Sequence, residues 1–315
     1  MVELLIFGQP YWSTEIARAI NSRQDDLRAR YVAPRAYVAT LRRGRANEPT
    51  VLMRAGYRPG ASTTRGRLFD GYWSALRWAR PSAVACHYWL GSDVQDTLAE
   101  MRTGTIRAAV LAATRSDLHL ADAPWLANEL AEVGIEAVTA HVPQPNRAPD
   151  TVRPLPADFA VLTYLPGARF DFYGGATILE VAARIPDVRF DVVGRQSVTP
   201  PVAPPNVRYL GWVADMTPCY KDTTAVIRIP RHDGLGQTII EGLLHGRHAF
   251  YIHDVPHVRR VQAETDSVAT ALEDLLATHQ AGRLEANHAG RAYALKAFDE
   301  MALTDHLVGL IQDRL

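Results

Sequence analysis

Cysteine is nearly absent from this 315-residue chain: Cys86 and Cys219 are the only two, far apart and without metal-ligand spacing. That excludes a disulfide framework and a cysteine-based zinc site, and it fits a reducing, cytoplasmic setting. No apolar run approaches the roughly eighteen residues of a membrane-spanning helix. The start, Met1-Val2-Glu3-Leu4-Leu5-Ile6-Phe7, lacks the basic segment and small-residue cleavage site of a signal peptide. Net charge is zero, with 34 basic side chains against 34 acidic ones, so any pull on an anionic partner has to be local. Lysine is scarce, at positions 221 and 296 only, a bias that reads as genome composition rather than function. What remains is an ordinary globular composition, 47% apolar and 22% charged, long enough for two domains of about 150 residues.

Short apolar runs alternate with amphipathic stretches throughout. Residues 2–7 predict a strand, and Gly8-Gln9-Pro10-Tyr11-Trp12 turns into a helix from about Ser13, taken as its N-cap, with Ile16, Ala17 and Ile20 on the apolar face. Strand, Gly turn and helix open a nucleotide-type parallel sheet, although a lone glycine is no dinucleotide fingerprint. Residues 68–78 predict a helix and 82–88 a strand that runs through His87 to a Gly91-Ser92-Asp93 turn and a helix over 94–101. His87 there either meets a ligand or packs in the core, and Asp93 reads as an N-cap rather than a base. Residues 107–113, 118–120 and 136–143 predict strands, and 123–135 a helix with Pro in its first turn and Gly at its end. Pro143, Pro145, Pro149, Pro154 and Pro156 then mark a linker, which puts a domain boundary near residue 150.

Residues 42–67 stand apart. Arg42, Arg43, Arg45, Arg54, Arg58, Arg65 and Arg67 face the single acid Glu48, with prolines and glycines between them. Such a run reads as a solvated surface, or as a patch for an anionic partner such as DNA, RNA or anionic lipid. The second half restarts the alternation: strands over 159–164, 189–194, 207–212, 224–229 and 248–252, and helices over 176–185, 238–244, 267–276 and 285–315. Its densest chemistry is Pro230-Arg231-His232-Asp233-Gly234-Leu235-Gly236-Gln237-Thr238-Ile239-Ile240-Glu241. A β-branched strand, a Gly loop and a helix start together point unpaired N–H groups and a positive dipole end at an anion. Asp233 and Glu241 bracket that loop. Thr238 and Glu241 also match a capping box, in which Glu241 only satisfies a backbone N–H.

This stretch, with the order of elements from residue 159 onward, resembles the donor-site signature of GT-B-fold retaining glycosyltransferases, the glycogen-synthase-like superfamily of family 4 type. The resemblance implies two Rossmann-like doubly wound α/β domains facing a central cleft. It gives an acceptor domain over 1–150, a donor domain over 151–300, and a last helix, 301–315, packing back on the first. It further implies metal-independent, retaining transfer from a nucleoside-diphosphate sugar, with no other cofactor. Asp233 would contact the donor sugar and Glu241 the ribose. The amides of Gly234, Leu235, Gly236, Gln237 and Thr238, with Arg169, would hold the diphosphate. His87, Arg195, Gly211 and Trp212 would line the same site, and Gln9 and Tyr11 are weaker candidates for it. The match is looser over the first half. In the loop after residue 164, Tyr173 stands where the family has Lys, and Asp233 where it has Glu. Arg195 or Arg231 would then have to supply the second cation. The alternatives are a changed donor, a sugar-nucleotide epimerase or phosphorylase, and a catalytically degenerate scaffold binding nucleic acid or membrane. Acceptor and nucleobase are left open.

Overall fold

The computed structural model describes residues 2–23, 26–42, 50–145, 148–195 and 202–315. Contacts divide the chain into two units, Met1–Pro145 with Phe298–Leu315, and Asn146–Ala297. The first unit holds β1 (Val2–Gly8), α1 (Pro10–Ser22), β2 (Leu27–Tyr31), α2 (Tyr37–Arg42), β3 (Thr50–Ala55), α3 (Thr64–Ala79), β4 (Val84–Trp89), α4 (Ser92–Arg102), α5 (Ala108–Ala112), β5 (Leu118–Ala121), α6 (Pro124–Glu132) and β6 (Val138–Thr139). The second holds β7 (Ala160–Tyr164), α7 (Gly175–Arg184), β8 (Arg189–Val193), β9 (Val207–Gly211), α8 (Thr217–Lys221), β10 (Ala225–Arg228), α9 (Gln237–Leu244), β11 (His248–Tyr251), β12 (Arg259–Arg260), α10 (Thr265–Gln280) and α11 (His288–Ala297). The last helix, α12 (Glu300–Gln312), belongs to the first unit.

Both sheets are parallel, ordered β2-β1-β3-β4-β5-β6 and β12-β11-β10-β7-β8-β9. The period-two rule for strands sorts their side chains. Leu4 and Ile6 join Val51, Met53, Cys86 and Tyr88 in one core cluster. Leu5, Phe7, Leu52 and Ala85 point the other way, against Phe69, Trp73 and Leu76 of α3. Burial on both faces is what a parallel sheet requires. Leu307, Val308 and Ile311 of α12 enter the same cluster as Ile16 and Ile20 of α1. In the second unit Ile178 and Val181 of α7 and Val268 and Leu272 of α10 pack in one cluster with β7, β8 and β10.

Several local expectations give way. Residues 108–112, expected within a strand, form α5. Helix α1 starts at Pro10, so Ser13 lies inside it, fully buried, and Gln9 holds the cap position. Asp93 is not the N-cap of α4, a place taken by Gly91, but its carboxylate accepts the N–H groups of Leu90, Gly91 and Val94 and so closes that turn. The helix expected over 285–315 breaks before Asp299, which accepts the N–H of Ala302 at 2.8 Å and so starts α12.

The largest correction falls on the arginine-rich stretch. Strand β3 lies in the middle of it and all six of its residues are buried. Arg54 is 1% exposed, ion-paired to Asp70 and set over the neighbouring rings of Phe69 and Trp73, each 4.8 Å away. Arg58 pairs with Glu100, which also accepts from Ser62 at 2.9 and 2.7 Å. That Arg58 hydrogen bond is the main reason the Glu100 carboxyl is held down to about 2. Arg65 lies over Tyr57 at 5.3 Å, and Arg67 donates to the Ser62 carbonyl at 3.1 Å. The anionic-partner surface therefore loses Arg54 and Arg58, whose charges are neutralised inside the fold. Arg42, Arg65 and Arg67 are exposed. Arg43 and Arg45 lie outside the described residues.

Candidate functional site at the carboxyl edge of the second sheet

Strand β7 lies in the second sheet between β8 and β10. The chain runs outward from β7 through β8 to β9, then returns to build β10, β11 and β12 on the other side. The loops after β7 and β10 therefore diverge at the carboxyl edge, the place where open α/β sheets bind ligands. They are packed together there. Gly174 (φ +78°) faces Ile229, whose Cγ1 and carbonyl oxygen would both lie 2.8 Å from an added Cβ. Arg231 donates its N–H to the Phe172 carbonyl at 2.8 Å.

Two glycines in the loop after β10 are buried, and one is required by its neighbours. A Cβ on Gly236 would lie 2.8 Å from Arg228 Cδ and 3.2 Å from Tyr251 Cζ. Gly236 is the N-cap of α9 and supplies no side-chain cap. Asp233 accepts Nε and Nη2 of Arg228, the latter at 2.8 Å. Tyr251 Oη lies 3.0 Å from Asp233 Oδ2 and 2.8 Å from the Gly234 carbonyl. Burial, then the charge of Asp233, pushes the Tyr251 hydroxyl well above its ordinary range, so it stays a donor. Burial opposes the charge on Arg228, but the Asp233 carboxylate more than offsets that and holds the guanidinium firmly protonated. The Arg228 guanidinium also lies over the rings of Tyr173 (5.1 Å) and Tyr164 (5.7 Å).

Glu241 sits one turn into α9, and its Oε2 accepts the Tyr220 hydroxyl at 2.6 Å. The capping-box reading does not hold, because Thr238 is the second residue of the helix rather than its cap. Thr238 Oγ1 is a buried atom with no hydrogen-bond partner among the described residues. Tyr220 stacks on His245 at 4.8 Å, behind Glu241. Burial, reinforced by Arg247, Arg291 and Lys221, pushes His245 down to about 4. In the unfolded chain it titrates near 6.5. Protons therefore favour the unfolded chain as pH falls from about 6.5 towards 4, and stability drops over that window. His245→Phe keeps a ring against Tyr220 and is expected to shed this part of the acid sensitivity. Urea midpoints of the two proteins at about pH 7 and about pH 4.5 check it; a gap equal at both values would reject the assignment.

Arg169 is exposed at the end of the short 3-10 turn Gly167–Arg169, over Phe172 at 3.8 Å. Arg195 is exposed beside it in the fold, its carbonyl accepting the Gly167 N–H at 3.1 Å. Gly211 (φ +70°) ends β9 and Trp212, 68% exposed, follows it at the same edge. Asp233, Gly234, Leu235, Gly236, Gln237, Thr238, Glu241, Arg169, Arg195, Gly211 and Trp212 thus all belong to one sheet edge or the helix leading from it.

His87 does not. It is 1% exposed in the interior of the first unit, with Nε2 2.9 Å from Asp117 and its ring stacked on His119 at 4.8 Å. Burial, with Arg54, His119 and Arg77 around it, drives His87 well below its ordinary range, so it is neutral and has almost no surface for a ligand. Gln9 and Tyr11 lie after β1 in the first unit, and Tyr11 is 58% exposed. Sequence reasoning passed over Arg228, Tyr220 and Tyr251. The one available signal was Arg228, the only charge in the apolar run of residues 224–229. Among the described residues no three His, Cys, Asp or Glu side chains are grouped to hold a metal, and no helix is long and apolar enough to cross a membrane.

No family model matches this chain, and no curated protein matches it in sequence. Solved structures do match it in shape along nearly its whole length. Anabaena HepE, in complex with UDP-glucose, has a TM-score of 0.71 at 13% identity and covers 99% of both chains. Sucrose-phosphate synthase from Thermosynechococcus elongatus has a TM-score of 0.67 at 12% identity, with 99% of both chains covered. A glycosyltransferase from Rickettsia africae has a TM-score of 0.67 at 11% identity, covering 99% of this chain and 98% of its own. These structures are GT-B glycosyltransferases, built from two Rossmann-like domains. At such identities the likeness establishes the fold, and this chain has the GT-B fold.

Proposed function

We propose that this protein is a glycosyltransferase that draws its sugar from a nucleoside-diphosphate sugar, with UDP-glucose as the first donor to test. The observation that carries this reading is the convergence of a Gly loop, the start of α9, Arg169, Arg228 and two carboxylates at the switch point of the second sheet. The same fold holds UDP-glucose in HepE. The uncapped start of α9 offers N–H groups to a diphosphate, and Arg169 is exposed in the loop after β7 at the same sheet edge. Glu241, already oriented by Tyr220, suits a ribose hydroxyl. In the reaction the bond between the sugar's anomeric carbon and the β-phosphate oxygen breaks and the nucleoside diphosphate leaves. The acceptor oxygen bonds the anomeric carbon, and its proton passes to the departing phosphate. Transfer with retention and without a metal is the form that the family resemblance favours.

A thermal-shift titration tests this. UDP is expected to raise the melting midpoint with concentration, and UDP-glucose or another UDP-sugar to raise it further; saturation near one hundred times the dissociation constant corresponds to about 2.7 kcal/mol. Glu241→Ala is expected to shrink the shift while leaving the ligand-free midpoint within a few degrees. An undiminished shift in that variant would remove Glu241 from the site. Product mass then separates transfer from epimerisation, which needs no acceptor.

A further inference from the structure

Arg228 ends β10, a strand otherwise made of apolar side chains and covered on both faces. A charge there is tolerated only if paired. Its Nε and Nη2 edge is taken by Asp233, whose carboxylate is as enclosed as the guanidinium, each 11% exposed. Nη1 donates to nothing among the described residues, and it is not among their fully buried orphaned atoms. The guanidinium also lies over the rings of Tyr173 and Tyr164, which meet edge to face. Its stem lies against Gly236, where a Cβ would come within 2.8 Å of Cδ and 3.0 Å of Nε. That contact sets a fixed cation beside the residue that opens α9, the positive end of the helix dipole. A guanidinium with one edge anchored and one amino group available suits an anionic oxygen.

Resting on the nucleotide-sugar reading above, we infer that Arg228 is the cation that binds the donor's diphosphate, and that Asp233 is a positioning residue that aims it. Tyr173, which carries no charge, serves as the ring on which the guanidinium rests. Asp233 then acts on the donor through Arg228, and its conformation is set before any ligand arrives.

The test is calorimetry with UDP and UMP on the full chain, comparing wild type with the pair Arg228→Gln/Asp233→Asn. The double replacement removes both charges together, so no buried carboxylate is orphaned. UDP affinity is expected to fall about tenfold or more, while UMP affinity changes much less. Arg228→Lys should keep part of the preference for UDP. Adding Tyr173→Lys to the double variant should restore part of it, because an ammonium then stands beside the vacated position. A purely structural role would lower both nucleotides equally and would show no rescue. Wild type binding UDP with a UDP-to-UMP ratio that the double variant leaves unchanged overturns the assignment of Arg228 alone. Wild type failing to bind UDP overturns this inference and the donor reading together.

Discussion

Replacing Asp70 by alanine is expected to destabilise the first unit by about 3–5 kcal/mol, the usual result of removing one partner from a buried ion pair. Asp70 is 4% exposed and bridges three donors: Arg54, Arg107 and, at 3.0 Å, the Gly60 N–H. Without the carboxylate, Arg54 has no escape to water, since Phe69 and Trp73 enclose it. Desolvation of an unpaired guanidinium then dominates, well above the loss of any single hydrogen bond. Tryptophan fluorescence in urea reads this out, because of six tryptophans only Trp212 lies in the second unit. A midpoint within error of wild type would show that the network contributes nothing. Arg54→Met with Asp70→Leu, which leaves no buried guanidinium unpaired, should recover part of the loss; Arg107 and the Gly60 N–H still lack their acceptor.

Gly8→Ala should be nearly as damaging, at about 3 kcal/mol or more. Gly8 ends β1 at φ +145°, and a Cβ there would lie 1.9 Å from the Ala55 carbonyl oxygen. Ala55 is its partner across the parallel pair of β1 and β3, both interior strands of the first sheet. Backbone against backbone has no rotamer to yield, so the strands must separate or the chain must leave its conformation. Gly71→Ala in α3 is the control. Nothing lies within 4 Å of its added Cβ, and alanine there should stabilise the helix by roughly 0.5–1 kcal/mol. Urea midpoints shifted alike by the two substitutions would sink the steric account.

Much of the fold was legible because parallel strands and amphipathic helices are local patterns. Residues 224–229 read as a strand from their β-branched composition and 159–164 as another in the restarted alternation, and β10 and β7 lie within them. The misses have local causes too. Residues 108–113 are apolar without periodicity, and a short apolar run does not separate strand from helix. Strand β3 escaped notice because Arg54 made its surroundings look like a solvated charge run. The packing that buries Arg54 comes from Asp70 and Trp73, more than a dozen residues further on.

The sequence by itself determined the alternation that builds two parallel sheets, and the Gly loop between β10 and α9. Both depend only on side-chain periodicity and on the backbone freedom of glycine. The tertiary structure decided which charges meet. Asp233 pairs with Arg228 beneath Tyr251, Glu241 with Tyr220, and Arg54 with Asp70. Those partners stand on neighbouring strands, turns and helices whose adjacency is set by sheet order, and sheet order arises from burying both faces of the whole sheet at once.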